Sequence, residues 1–268
     1  MTYYLIDAFT QRPFGGNPAA VVPLETWLPA ELMQQIAAEN NQSETAFFVQ
    51  RPGTNGGHYD LRWFTPAYEI DLCGHATLAS AQVLYQFMGY AADAVVFHSR
   101  SGPLPVRREL DGRLTLDFPS RPAQPLPAPP PGLALAPGRA APPCLAARDW
   151  VVVLDSEAEV LAFQPGQAAG LAAPNTPYLG LIITAPGTGN VDFVSRFFDL
   201  GLGLLEDPVT GSAHCNLIPY WAARLGKTEL LARQLSRRGG ELWCALRADG
   251  RVHIGGYARA YATGKLLI

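Results

Sequence analysis

The chain has 268 residues, 48% hydrophobic, with a formal net charge of -3, which allows a full core in one large domain or two small ones. Its basic residues are scattered, so no nucleic-acid partner is expected. The N-terminus has no basic segment before an apolar stretch, and no apolar run approaches the roughly 18 residues of a membrane helix. We therefore expect a cytoplasmic protein without a membrane partner.

The four cysteines lie far apart in the sequence and form no CxxC pair. In a chain of this length, such spacing favours reduced thiols over a disulfide framework. The cysteines are Cys73, Cys144, Cys215 and Cys244.

The first 118 residues alternate short runs of β-branched and aromatic residues with two amphipathic segments. The runs predict strands at residues 3–9, 19–22, 45–50, 59–64, 94–98 and 114–118. One helix is predicted after Pro29 and another from about residue 75 to residue 87, because apolar residues recur at helical spacing. Both helices should pack against a sheet.

Residues 119–143 contain ten prolines, which disfavours helix interiors and central strands. We predict a linker over residues 119–149 between an N-terminal lobe, 1–118, and a C-terminal lobe, 150–268. This division is compatible with packing of the C-terminal strand on the N-terminal lobe.

The second half repeats the order of the first. Strands are predicted at 150–154, 181–184, 191–197, 241–247 and 251–255, with a helix at about 212–225. In both halves an aromatic strand leads through acidic residues to a glycine that opens a helix, at Gly74 and at Gly211. This match indicates an internal duplication.

The two glycine-led helix starts are candidate binding sites for a carboxylate. The first N-H groups of a helix are unpaired and lie at its positive dipole end. If the halves are related by a twofold axis, the starts face one another across a cleft and hold a small acid. The alternative is that both glycines make turns and that Asp71, Asp207 and Ser212 are helix caps.

Glu44, His75 and Asp207 are the candidates for proton transfer, since each can exchange a proton. Desolvation in a cleft would raise the pKa of Glu44 toward neutrality; otherwise Glu44 is a solvated loop acid. The helix dipole should lower the pKa of His75 and favour a neutral imidazole.

At these residues the chain resembles the phenazine-biosynthesis PhzF family over nearly its whole length. Any one shared block is weak, but together and in order they are specific. The blocks are Asp7-Ala8-Phe9-Thr10, Gly16-Asn17-Pro18, Ser43-Glu44-Thr45-Ala46-Phe47, Asp71 to Thr77, Glu206 to His214, Gln234-Leu235-Ser236 and Arg238-Gly239-Gly240.

The resemblance implies an α+β fold like that of diaminopimelate epimerase. Two similar lobes would each wrap a curled sheet or barrel around a central helix, with the active site between them. It further implies a cofactor-free, homodimeric isomerase acting on a small carboxylic acid. In that family's terms Glu44 is the general acid and base, assisted by His75 and Asp207, and substrate is bound by Asn17, Cys73, Gly74, Gly211 and Ser212.

Three other interpretations stay open. The first is an epimerase or racemase that uses Cys73 as a proton-transfer group, although the second half has no matching cysteine. The second is a non-catalytic protein that binds a small acid. The third is a zinc site built from Cys73, His75, His214 and Cys215, which lacks the usual ligand spacing, so we expect no metal.

Overall fold

The computed structural model describes residues 1–54, 56–134, 141–172, 176–201 and 203–268. Contacts within this part of the chain divide it into two compact units. Unit 1 is Met1–Phe118 with His253–Ile268, and unit 2 is Pro119–Val252. Residues 135–140 of the predicted linker lie outside the described residues.

Unit 1 has a sheet and two helices formed by the first part of the chain. Its strands are β1 (Thr2–Ala8), β2 (Asn17–Leu24), β3 (Glu44–Gln50), β4 (His58–Phe64), β5 (Glu69–Ile70), β6 (Ala94–Ser99), β7 (Gly102–Arg108) and β8 (Leu114–Pro119). Its helices are α1 (Ala30–Asn40) and α2 (Gly74–Phe87).

Unit 2 contains a second set of strands and helices. The strands are β9 (Gln124–Pro125), β10 (Cys144–Ala146), β11 (Trp150–Val153), β12 (Gly180–Pro186), β13 (Phe193–Asp199), β14 (Leu205–Asp207), β15 (Glu229–Gln234) and β16 (Gly240–Leu246). The helices are α3 (Glu157–Ala162), α4 (Gly211–Leu225) and a 3-10 helix, Pro165–Leu171. Strands β9 and β10 thus lie inside the segment predicted as a linker.

The chain ends with two further strands, β17 (Arg251–Gly256) and β18 (Ala258–Lys265). The boundary between the units falls within β17. Strand β18 pairs antiparallel with β1, from Thr2 opposite Lys265 to Ala8 opposite Ala258, so the C-terminal strand belongs to the sheet of unit 1.

The two units pair their strands in the same pattern. In unit 1, β2 runs parallel to β3, β3 antiparallel to β4, and β4 pairs with β5 and β6. In unit 2, β11, β12, β13, β14 and β15 repeat these relations in the same order. Equivalent ion pairs join the short hairpins, Arg62 with Glu69 at 2.7 Å and Arg196 with Glu206 at 2.6 Å. The similarity between the halves is therefore present in the fold.

Helix α2 is the central helix of unit 1. Ten of its residues are buried, and it contacts β1, β2, β3 and β18. A helix that is buried on nearly all sides needs small residues, which let the strands approach it closely. Its hydroxyl groups must also be hydrogen-bonded. Ala76 and Ala79 are fully buried, while Ser80 donates to the Ala76 carbonyl at 2.8 Å. The sequence prediction of a central helix against a sheet is confirmed.

Helix α1 packs on the same sheet and sets the position of β3. Met33 and Ile36 pack with Phe47 and Phe64 in one core cluster. The helix ends at Asn41, which adopts the left-handed conformation with φ 47°, a backbone state that asparagine tolerates better than most residues. This turn leads the chain directly into β3. None of the helices in the described part of the chain is long and apolar enough to span a membrane.

Candidate active site

Three elements of unit 1 bring predicted site residues together. Asn17 is the first residue of β2 and Glu44 the first of β3. Because these strands are parallel, with Ala19 opposite Glu44, their first residues lie at the same edge of the sheet. Helix α2 starts at Gly74, directly after Cys73.

The imidazole of His75 is the centre of this arrangement. Its Nε2 lies 3.0 Å from Oε2 of Glu44. Its Nδ1 lies 3.2 Å from Nδ2 of Asn17 and 3.5 Å from Sγ of Cys73. We call these four residues the His75 cluster.

Two atoms of the His75 cluster are buried without a hydrogen bond. Glu44 Oε2 and His75 Nε2 are close enough for an ion pair but are not aligned as a hydrogen bond, and within the described residues neither has another partner. The Glu44 side chain is 16% exposed. The alternative of Glu44 as a solvated loop acid is therefore wrong. Buried polar atoms left unpaired are rare in folded proteins and frequent at functional sites.

The pKa of His75 differs from the sequence prediction. Burial by itself lowers this pKa, but the neighbouring Cys73 and Glu44 raise it well above its ordinary value. The helix dipole was expected to lower the pKa, and that expectation is wrong because a carboxylate at 3.0 Å acts more strongly than the partial charge of a helix end. His75 therefore holds a proton more firmly than an exposed histidine.

Cys73 stays protonated at neutral pH. Burial and, next, the charge of Glu44 raise the pKa of its thiol to about 11, and His75 only partly offsets these two effects. A thiolate is the reactive form of cysteine. Cys73 is thus a poor base, which weighs against the epimerase interpretation.

In unit 2, Asp207 ends β14, and α4 starts with Gly211 and Ser212. The N-cap of α4 is Thr210, that of α2 is Cys73, and neither helix has a side-chain cap hydrogen bond. Asp71, Asp207 and Ser212 therefore do not occupy the N-cap position of either helix. The hydroxyl of Thr210 instead donates to Asp207. That these residues and the His75 cluster act on one substrate stays a prediction.

A charged network that was not predicted from the sequence contacts Ser212. Nη2 of Arg148 donates to Ser212 Oγ at 2.8 Å and to Asp149 Oδ2 at 3.1 Å. Asp149 is fully buried and also accepts from Asn216 at 3.1 Å. The available signal was the charged pair Arg148 and Asp149 directly before the largely buried strand β11.

The only group in the described part of the chain with donors spaced for a metal ion is Glu44, Cys73 and His75. Their donor atoms all lie within 4.8 Å of one another. Zinc accepts all three ligand types. However, Glu44 and Cys73 contact different nitrogens of the imidazole, since Nε2 faces Glu44 and Nδ1 faces Cys73. One ion would have to displace one of these contacts.

A family model described as "Phenazine biosynthesis-like protein" (PhzC-PhzF) matches residues 6–264. Two uncharacterized isomerases of Pseudomonas aeruginosa are each 48% identical over 99% of this chain and 98% of their own length. A PhzF-family protein from Enterococcus faecalis has a solved structure with a TM-score of 0.89 and 46% identity, covering 100% of this chain and 99% of that one.

A more distant solved structure bears on the fold. A probable proline racemase from Agrobacterium radiobacter has a TM-score of 0.61 at 12% identity, over 100% of this chain and 93% of that one. The predicted epimerase-like fold is therefore confirmed. The prediction of an isomerase is confirmed at the level of enzyme class by the names of the curated relatives. The chain belongs to the PhzC-PhzF family of phenazine biosynthesis-like proteins.

Proposed function

We propose that this protein isomerises a small carboxylic acid by moving one proton, with Glu44 as the general acid and base. The observation that supports this most is the pair of buried atoms Glu44 Oε2 and His75 Nε2, 3.0 Å apart and unaligned for a hydrogen bond. A substrate proton or polar group placed there would give both atoms a partner. The curated relatives named isomerases support the reaction class.

The proposed reaction needs one group that takes and returns the same proton. The Glu44 carboxylate removes a proton from a carbon next to an unsaturated system, and the electron pair of the broken C-H bond moves into that system. The protonated Glu44 then forms a C-H bond at another carbon, so the product is an isomer. His75 positions Glu44 through the 3.0 Å contact between its Nε2 and Oε2 of Glu44.

The N-H groups at the start of α2 and α4 are proposed to bind carboxylate groups, since helix N-termini attract anions. Ser212 Oγ accepts a hydrogen bond from Arg148, which leaves the Ser212 proton available for donation to a carboxylate. Asp207 is proposed to position a polar substituent. These roles rest on the family's motifs.

Deuterium uptake from D₂O tests the proposal. We would incubate a panel of small unsaturated acids, including a dihydro-hydroxyanthranilate, with the wild type, Glu44→Gln and Glu31→Gln, and follow C-H exchange by NMR. Glu31 is an exposed acid in the first turn of α1 and serves as the control. We expect exchange with the wild type and the control, and a loss of about 100-fold or more in Glu44→Gln.

Exchange at the wild-type rate in Glu44→Gln would contradict the role of Glu44. Binding of an acid without exchange in any variant would favour the small-acid binding protein. Loss of all exchange in a folded Cys73→Ser variant would favour the epimerase.

A further inference from the structure

Unit 1 has a pocket that is separate from the His75 cluster. Its volume is about 330 Å³, within the range of about 300–1,000 Å³ typical of small-molecule sites. Neither Glu44, His75, Cys73 nor Asn17 lines it. Arginines, acids and two tryptophans supply most of the wall, namely Trp27, Arg51, Asp60, Arg62, Trp63, Glu69 and Arg100.

The charge of this pocket is positive. Three guanidinium groups face two carboxylates, which leaves one positive charge in excess. Arg51 pairs with Asp60 at 2.9 Å, Arg62 with Glu69 at 2.7 Å, and Arg100 with Glu69 at 2.6 Å. A single excess positive charge favours a ligand with one negative group.

Hydrogen-bond donors remain in the pocket after its ion pairs are formed. Both oxygens of Glu69 are already occupied, Oε1 by Arg62 and Oε2 by Arg62 and Arg100. The side chains of Arg51 and Arg100 are 43% and 61% exposed, and in each only some of the N-H groups contact the acidic partner. Planar guanidinium groups with N-H groups to spare recognise carboxylate and phosphate oxygens.

Aromatic rings supply the second half of the site. Trp27 is 38% exposed, and the Arg62 guanidinium lies 5.5 Å from the centroid of its ring. Trp63 is 1% exposed, and its Nε1 has no hydrogen-bond partner within the described residues. A ring beside a guanidinium is a surface on which a planar ligand stacks.

We propose that this pocket, centred on Arg51, Arg62 and Arg100 beside Trp27, binds a small organic anion that carries a planar ring. The negative group contacts the spare N-H groups of Arg51 and Arg100, and the ring packs against Trp27. This binding site goes beyond the isomerase reaction and does not depend on it.

Calorimetric titration with defined probes tests the site. The ring-bearing anions are benzoate, nicotinate and adenosine monophosphate; acetate and inorganic phosphate lack the ring, and benzamide lacks the charge. We expect saturable binding of at least one ring-bearing anion, about tenfold tighter than acetate, inorganic phosphate and benzamide. The ring-bearing probe that binds most tightly shows whether the site prefers a carboxylate or a phosphate group.

Variants distinguish this pocket from the His75 cluster. We expect Arg100→Met and Arg51→Met each to weaken binding about tenfold. Arg107→Met is the matched control, because Arg107 is 60% exposed, pairs with Glu109 and does not line the pocket. Binding should survive Glu44→Gln. Absence of saturable binding by every ring-bearing anion, or wild-type affinity in both arginine variants, would overturn the proposal whatever the outcome of deuterium exchange.

Discussion

Nδ1 of His214 lies 2.9 Å from the carbonyl oxygen of Thr210, one turn earlier in α4. A carbonyl only accepts, so Nδ1 carries the proton and the neutral ring leaves its Nε2 lone pair buried. That Nε2 has no hydrogen-bond partner within the described part of the chain. Burial lowers the pKa of His214 to about 4, only partly offset by the Thr210 carbonyl.

His214 should make the protein sensitive to acid. Between about pH 6.5 and pH 4 the unfolded chain binds a proton at this residue and the folded chain does not, so stability falls as the pH falls through this window. The expected contribution is about 3 kcal/mol. Urea unfolding of the wild type and His214→Asn over this pH range measures it. The variant should lose less stability than the wild type. Parallel pH curves for His214→Asn and the wild type would contradict the prediction.

Local patterns were enough to predict the helices that carry the candidate site. Helix α2 and helix α4 each begin at a glycine and have apolar residues at helical spacing, and the strand predicted at 45–50 begins one residue earlier, at Glu44. The packing of the last strand on the first lobe was anticipated, but the strand itself, β18, was not predicted, because its side chains alternate between half-buried and exposed and its partner β1 is at the other end of the chain. Such pairing has no local signal.

Long-range contacts explain the errors at the site as well. The sequence supplied the helix end beside His75 but not the 3.0 Å contact with Glu44, so the direction of the pKa shift was wrong. The bond between Arg148 and Ser212 joins residues 64 positions apart. No spacing rule connects such a pair.

Asn17 should control the protonation of His75. The Asn17 amide nitrogen lies 3.2 Å from Nδ1, while its oxygen accepts from Ser43 Oγ at 3.4 Å, so a charge introduced at residue 17 acts directly on the imidazole. Asn17→Asp puts a carboxylate there, so we expect the pKa of His75 to rise by about one unit or more. Imidazole resonances followed by NMR through a pH titration measure the shift. Asn17→Ser removes the amide without adding charge and is the control; a pKa as high in this variant as in Asn17→Asp would contradict the electrostatic cause.

The raised pKa of His75 should also affect stability. Because the pKa of His75 is higher in the folded than in the unfolded chain, proton binding at His75 stabilises the fold. This stabilisation is complete at pH values below the unfolded-state pKa of about 6.5, and it is lost as the pH rises through the folded-state pKa. We therefore expect His75→Asn to destabilise the protein more at pH 5.5 than at pH 9. Chemical unfolding at both values tests this. An equal difference at the two values would show that His75 titrates as it does in the unfolded chain.

Cys73 should react slowly with alkylating agents. Its thiol is buried and has a pKa of about 11, so at pH 8 labelling by iodoacetamide should be about 100-fold slower than that of an exposed cysteine. Mass spectrometry of timed samples measures the rate, and the urea-unfolded chain, in which all four cysteines react, is the control. Rapid labelling of Cys73 in the folded protein would indicate a thiolate and would favour the epimerase interpretation.

Arg148 should support both stability and binding, and the two roles can be separated. Asp149 is fully buried, so Arg148→Met leaves a buried carboxylate without its cation and should lower the free energy of unfolding by about 3 kcal/mol. Adding Asp149→Asn removes that charge and should recover most of the loss, because the amide oxygen still accepts from Asn216.

If Ser212 binds a carboxylate, the double variant should still bind the acid more weakly, since the donor to Ser212 is gone. Urea unfolding gives the stability, and the concentration dependence of deuterium exchange separates KM from kcat; we expect mainly a raised KM. Arg233→Met is the matched control, because Arg233 forms an exposed ion pair with Glu241 worth less than about 1 kcal/mol. Recovery of KM together with stability in the double variant would show that Arg148 only balances the charge of Asp149.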